Sequence, residues 1–432
     1  MLLTSAPAQM AQNAVRTRVG GVDLIAYPTG VKNVVTLRGS LPAGDVFSAA
    51  GNPAVATLCG LMLDRGTTLQ DKFALAQKLE AVGATLDFSV DSHMATFTGQ
   101  CLRKDAGLVI SLLAEQLRSP AFSPEEFAKA KKQLAGGIQR QMESPDFRST
   151  DNYTRAVYAP GHPNYETPPK EMLAAIETAT LDEVKAFHAR HYGPGKLTII
   201  AVGDLDIPAL QGAVTQAFTG WTGGTALPPA PGLANLDVPK EQTVFMADKP
   251  SVSITLGQAI GLKYSDPDTV ALRAGTAILG SGFTSRLLGN VRDKEGLTYG
   301  ISSSIAGDTF NHGDFRITAT FAPALLDKGL ASTRRQLDLW YREGVTAQEL
   351  ASRKTNLTGS FKVGLATTGG IAGSLLNAVH RGLDVGWLDE YPRRVNALTL
   401  DQVNGAIKRH LTPDQMVLIK AGSVPGALPA SK

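Results

Sequence analysis

The chain has 432 residues, 43% apolar and 19% charged, with 42 Lys and Arg against 39 Asp and Glu for a formal net charge of +3. That length exceeds one ordinary core and asks for two or more, while the dispersed, balanced charge excludes a basic nucleic-acid footprint and an acidic disordered tail. No apolar run of about 18 residues marks a membrane span, and Cys59 and Cys101 form neither a CxxC pair nor a disulfide framework, so buried free thiols are expected.

Residues 1–13 combine Leu2-Leu3 with a small-residue Ala6-Pro7-Ala8 stretch, which reads as a signal-peptide remnant or a disordered tail. The first reading places the protein in the periplasm and the second leaves it in the cytoplasm. Strands are predicted at Val34 to Leu41, Thr85 to Val90, Met94 to Gln100 and Leu197 to Val202, where apolar residues alternate or run together. A long helix opens at Ser123, with Glu126 at the spacing of a capping box. A second opens at Thr180 with Asp182 in its first turn, and His191-Tyr192-Gly193-Pro194 ends it. Trp221 to Gly232 is rich in Gly and Pro and reads as an extended linker.

Beyond that linker the pattern returns. Thr399-Leu400-Asp401-Gln402-Val403 repeats Thr180-Leu181-Asp182-Glu183-Val184 at an offset of 219, and Thr346 with Glu349 repeats Ser123 with Glu126 at an offset of 223. A repeat of this period makes one supersecondary unit written twice. The expected fold is α+β: two homologous domains in tandem, 14–225 and 241–432, joined by 226–240. Each is a mostly antiparallel sheet covered by long helices, and the pair faces each other as a clamp with any ligand between.

The motifs in these halves resemble the pitrilysin/insulinase metallopeptidase family, in its short two-chain bacterial branch. In the first half the likeness rests on Leu61-Met62-Leu63-Asp64-Arg65-Gly66-Thr67, on Leu79 to Ala84, and on Tyr192-Gly193-Pro194 through Asp204. In the second it rests on Ser285-Arg286-Leu287 and on Val291 to Tyr299, VRDKEGLTY, the most specific stretch in the chain. The resemblance implies an insulinase-type clamshell. Active members carry His-x-x-Glu-His on a helix, so that two His share one helical face for zinc and the Glu acts on water, with a further Glu downstream. Here the equivalent stretch is Thr57-Leu58-Cys59-Gly60-Leu61. Thr57, Gly60 and Leu61 replace both His and the Glu, and Gly136 and Gly137 stand where the distal Glu belongs. No cofactor is expected in this chain.

Of the seven His, only His188 and His191 are closely spaced. With no carboxylate between them they read as cationic partners of a helix C-terminus. The resemblance further implies that, in two-chain members, the zinc-less partner supplies an Arg/Tyr pair, here Arg292 and Tyr299, to hold a peptide carbonyl and stabilise charge developing on its oxygen. Gly280, Ser281, Gly282 and Phe283 resemble a substrate-contacting glycine-bearing loop, with a helix-capping turn as the alternative. The expected partners are a zinc-bearing homologous subunit, forming a heterodimer, and a peptide or unfolded substrate. A structural assembly subunit and a self-sufficient peptidase with relocated ligands are the rival readings.

Overall fold

The computed structural model describes residues 10–48, 50–234 and 236–427; the Leu2 to Ala8 stretch lies outside them. The first sequence copy supplies β1 (Val15–Val19), β2 (Val22–Pro28), β3 (Val34–Leu41), β4 (Thr85–Val90), β5 (Ala95–Leu102) and β6 (Thr198–Gly203). They form a sheet in the order β1-β2-β6-β3-β5-β4, in which only β2 and β6 run parallel. The second copy supplies β7 (Glu241–Phe245), β8 (Val252–Ala259), β9 (Thr298–Ala306), β10 (Asp314–Phe321) and β11 (Val417–Gly422). Their order is β7-β11-β8-β10-β9, and only β7 and β11 run parallel. The series β6-β3-β5-β4 and β11-β8-β10-β9 are the same arrangement made twice. Strand β6, apolar but for its first and last residues, is buried at every position, whereas Ile301, Ser303 and Ile305 of β9 point inward and the residues between them point out.

The helices follow the same duplication. The first copy contributes α1 (Val55–Leu61), α2 (Lys72–Glu80), α3 (Ala106–Arg118), α4 (Pro124–Met142), α5 (Pro145–Val157), α6 (Pro169–Thr178), α7 (Leu181–His191) and α8 (Ile207–Phe218). The second contributes α9 (Thr269–Gly280), α10 (Leu326–Glu343), α11 (Ala347–Gly364), α12 (Thr368–His380), α13 (Trp387–Ala397) and α14 (Leu400–His410). Reciprocal capping boxes open α7 and α14, with Thr180 against Glu183 and Thr399 against Gln402. Thr346 and Glu349 close a third at α11, at 2.8 and 3.2 Å. At α4 only half of the expected box forms. Ser123 Oγ accepts from the Glu126 N–H at 3.5 Å, but the Glu126 carboxylate turns to Lys72 at 2.8 Å and Arg65 at 3.2 Å, because charge-assisted bonds outcompete a single backbone N–H.

The two compact units do not coincide with the two sequence copies. One takes the residues through Gly137, then Lys170–Pro229 and Lys362–Glu390; the other takes Ile138–Pro169, Ala230–Phe361 and the chain from Tyr391. The central change of unit falls at Pro229, inside the Gly/Pro-rich linker. The remaining changes exchange one helix each way. Helix α5, from the first copy, packs on β8 and β11. Tyr153, Tyr158, Val417 and Ile419 form an apolar cluster there, the Tyr153 hydroxyl donates to Phe315 O at 2.9 Å, and Ser149 meets Thr255 at 3.1 Å. Helix α12, from the second copy, packs on β3 and β6, with Thr368 on Thr36 and His380 on Ser40, both at 2.8 Å.

Candidate functional site

The positions that would carry a metal site fall on α1 and on the middle of α4, in the same unit. Thr57 and Leu61 sit one helical turn apart and half-buried, as the two ligands of an i,i+4 pair would. Thr57, however, donates to Asp45 Oδ1 at 3.1 Å, and Leu61 has no ligating atom. Gly60 is fully enclosed: a Cβ there would overlap a γ-methyl of Val90, so the space a catalytic carboxylate would need is filled. Cys59 is completely buried and free, and burial pushes its thiol up to about 12, which suits packing and not metal binding or nucleophilic attack. Cys101 is also free and buried. These residues do not fit zinc. Among the described residues no group of three or more His, Cys, Asp or Glu could hold a metal ion, and no helix is long and apolar enough to cross a membrane.

His188 and His191 are not cationic partners of their own helix end. Burial lowers both imidazoles below the usual value, which favours the neutral form. His188 Nε2 donates to Leu117 O at 2.8 Å, satisfying a carbonyl in the last turn of α3, and its ring stacks on Tyr192. His191 Nδ1 meets Thr225 Oγ1 at 3.0 Å, with its ring against Phe47 and Phe187. Two rings committed to different partners do not converge on one ion.

Around Arg292 the side chains do come together. Leu288–Lys294 forms a π-helical turn, held to α10 by Asn290, which donates to Gln336 Oε1 at 3.2 Å, and by Arg335 on Glu295 at 2.6 Å. Gly296, with φ at +63°, reverses the chain into β9. There Phe321 pairs with Thr298 and Thr320 with Gly300, which leaves Tyr299 as the extra residue of a bulge. A bulge re-aims a side chain, and Tyr299 is 90% exposed. The Arg292 guanidinium lies 5.5 Å from the ring of Tyr299 and 5.6 Å from that of Phe283, within the range of a cation–π contact. Among the described residues neither the guanidinium nor the phenol makes a hydrogen bond, and the one ion-pair contact of Arg292, to Asp293, is long at 3.9 Å.

The loop that carries Phe283 divides by role. Gly280 is buried, because a Cβ would overlap the backbone N of Ser303 in β9. Ser281 caps α9 through its N–H to Ala277 O, and Gly282 takes φ at +78°, a conformation glycine adopts without strain. Ser281, Gly282 and Phe283 are exposed, Phe283 at 75%. Sequence reasoning places Phe283 only as a substrate contact; its cation–π contact with Arg292 joins residues that no motif links. The Asp64-Arg65-Gly66-Thr67 signature is structural here, since Arg65 ties Leu61 O to Glu126 and Gln133, and Thr67 bonds Glu115.

Residues 29–166 match the family described as insulinase, peptidase family M16, and residues 178–357 match the peptidase M16 inactive domain. Among curated proteins, the non-peptidase homolog YmxG of Helicobacter pylori is 24% identical over 376 residues, which is 85% of this chain and 84% of that one. An uncharacterized zinc protease of Streptomyces coelicolor is 23% identical, over 80% of this chain and 76% of its own. Among solved structures, a peptidase M16 inactive domain from Pseudomonas fluorescens superposes with a TM-score of 0.86 at 26% identity, over 97% of this chain and 100% of that one. A protease from Helicobacter pylori gives 0.83 at 18% identity, over 95% and 99%. With both halves matched, the chain belongs to the M16 (insulinase) peptidase family as a homologue without a metal-binding cluster among its described residues.

Proposed function

We propose that this chain is the zinc-less subunit of a two-chain peptidase, inactive alone, which grips peptide and presents Arg292 and Tyr299 to the scissile region while a zinc-bearing homologue holds the metal. The observation that carries this reading is the Arg292 guanidinium, within cation–π range of two exposed rings and with no hydrogen bond to any described residue. Cation–π contact holds the guanidinium near the two rings without using its N–H groups, so the donors stay available to a carbonyl oxygen as it gains charge. Tyr299 adds a phenolic donor beside them. Phe283 belongs to the same surface as the ring that holds Arg292 in place. An assembly subunit would make no use of such an arrangement.

In a complex with a zinc-bearing homologue, Arg292→Ala lowers kcat for peptide hydrolysis by about 10²–10³, with KM little changed if the contact is made mainly in the transition state. Complex formation, followed by sedimentation, stays intact. Unaltered turnover by an intact complex would overturn the proposed role.

A further inference from the structure

The second copy buries a cation that the first copy lacks. Arg353 lies within α11 and keeps only 7% of its surface accessible. At the offset of 223 that sets Thr346 on Ser123, its counterpart is Ala130, which is completely buried. The same fold therefore closes over a methyl group in one copy and over a guanidinium in the other. Among the described residues Arg353 has no carboxylate partner; its one hydrogen bond runs from Nη1 to Asn356 Oδ1 at 3.1 Å.

Glu349, one turn earlier on the same helix, is the nearest candidate in sequence but is already committed. Arg286 grips both its oxygens at 2.6 and 2.7 Å, and the Thr346 N–H reaches Oε2 at 2.8 Å. That pair corresponds to Arg65 and Glu126 of the first copy, so it belongs to the repeat and Arg353 is a surplus positive charge. Guanidinium does not shed its proton in a protein, and a buried charge is costly unless it is paired. Beside it is a cavity of about 60 Å³ lined by Ile278, Thr284, Glu349, Ser352, Arg353 and Asn356. Roughly 10–15 Å³ of such space holds one water, so there is room for a monatomic ion together with water. Thr284, Ser352 and Asn356 are exposed, so the cavity opens to solvent, and the Thr284 and Ser352 hydroxyls, which make no hydrogen bond to a described residue, line it together with Arg353.

We propose that this cavity binds a halide-sized monovalent anion, which neutralises Arg353 and accepts hydrogen bonds from the Thr284 and Ser352 hydroxyls. A single negative charge matches the single surplus cation, and a second charge on the anion would be repelled by the Glu349 carboxylate in the same wall without a cation to balance it. Thr284 follows Phe283 directly, so the bound anion also anchors the loop whose ring makes the cation–π contact with Arg292. The site stands independently of any peptidase role.

Thermal unfolding of the full chain tests it, with bromide replacing gluconate at constant ionic strength. At about ten times its dissociation constant, bromide raises the midpoint by about 1.5 °C, and Arg353→Met removes that rise. Crystals grown in bromide show an anomalous scatterer within hydrogen-bond distance of the Arg353 guanidinium. An equal rise in R353M, or an anomalous map with no peak at Arg353, overturns the proposal. Should R353M fail to fold, the map of the unsubstituted chain decides.

Discussion

At Gly60 the helix gives up stability that alanine would add, by about 1 kcal/mol of propensity, and the reason is Val90, whose γ-methyl lies where a Cβ would be. Gly60→Ala is therefore expected to destabilise the chain by about 1–3 kcal/mol through overpacking. Val90→Ala, which opens that space, should restore part of the loss when the two are combined. Denaturant midpoints of the two single variants and the double variant check this, and a more stable Gly60→Ala would show that the packing there is loose. The absence of ligands at 57, 60 and 61 is legible from residue identity alone. The filling of the site by Val90 is not, because the two residues meet only through the fold. The same holds around Arg292: the spacing of Arg292 and Tyr299 across Gly296 could be read, whereas the bulge that turns Tyr299 outward depends on how β9 pairs with β10.

Elements that are specified locally were the readable ones. Thr180 and Thr399 announce α7 and α14 because a hydroxyl caps the N–H three residues on, whatever the rest of the chain does. The seating of α12 on β3 has no such local signature, since Thr368 and His380 act only once Thr36 and Ser40 are beneath them. That seating responds to pH. Burial lowers the His380 imidazole to about 4, with Asp91 opposing and Arg381 and His93 assisting. The folded chain thus holds it neutral at pH values where the unfolded chain, titrating near 6.5, takes up a proton. The stabilisation is complete above about pH 6.5, drains away as pH falls towards 4, and amounts to on the order of 3 kcal/mol. Below pH 4 this group adds no further change. In a His380→Asn variant the melting midpoint should fall less steeply over that window. An unchanged slope would show that the other buried histidines, His188 and His191, carry the whole effect.

At the scale of the molecule, the duplication was visible because caps, turns and strand patterns recur at offsets of 219 and 223. The reciprocal exchange of α5 and α12 was not, since each amphipathic helix shows an apolar face without naming the sheet that receives it. Both copies kept the framework, down to Arg65 on Glu126 and Arg286 on Glu349, and then diverged where chemistry is decided. Among the described residues the first copy holds no metal-binding cluster, while in the second Arg292 and Tyr299 make no side-chain hydrogen bond to a described residue. Division of labour between two homologous chains is the proposal that joins these facts. Peptide hydrolysis by this chain alone, by a purified zinc-bearing homologue alone and by an equimolar mixture tests it most directly. Turnover is expected to appear only in the mixture; hydrolysis by this chain alone, with zinc bound in stoichiometric amount, would contradict the proposal.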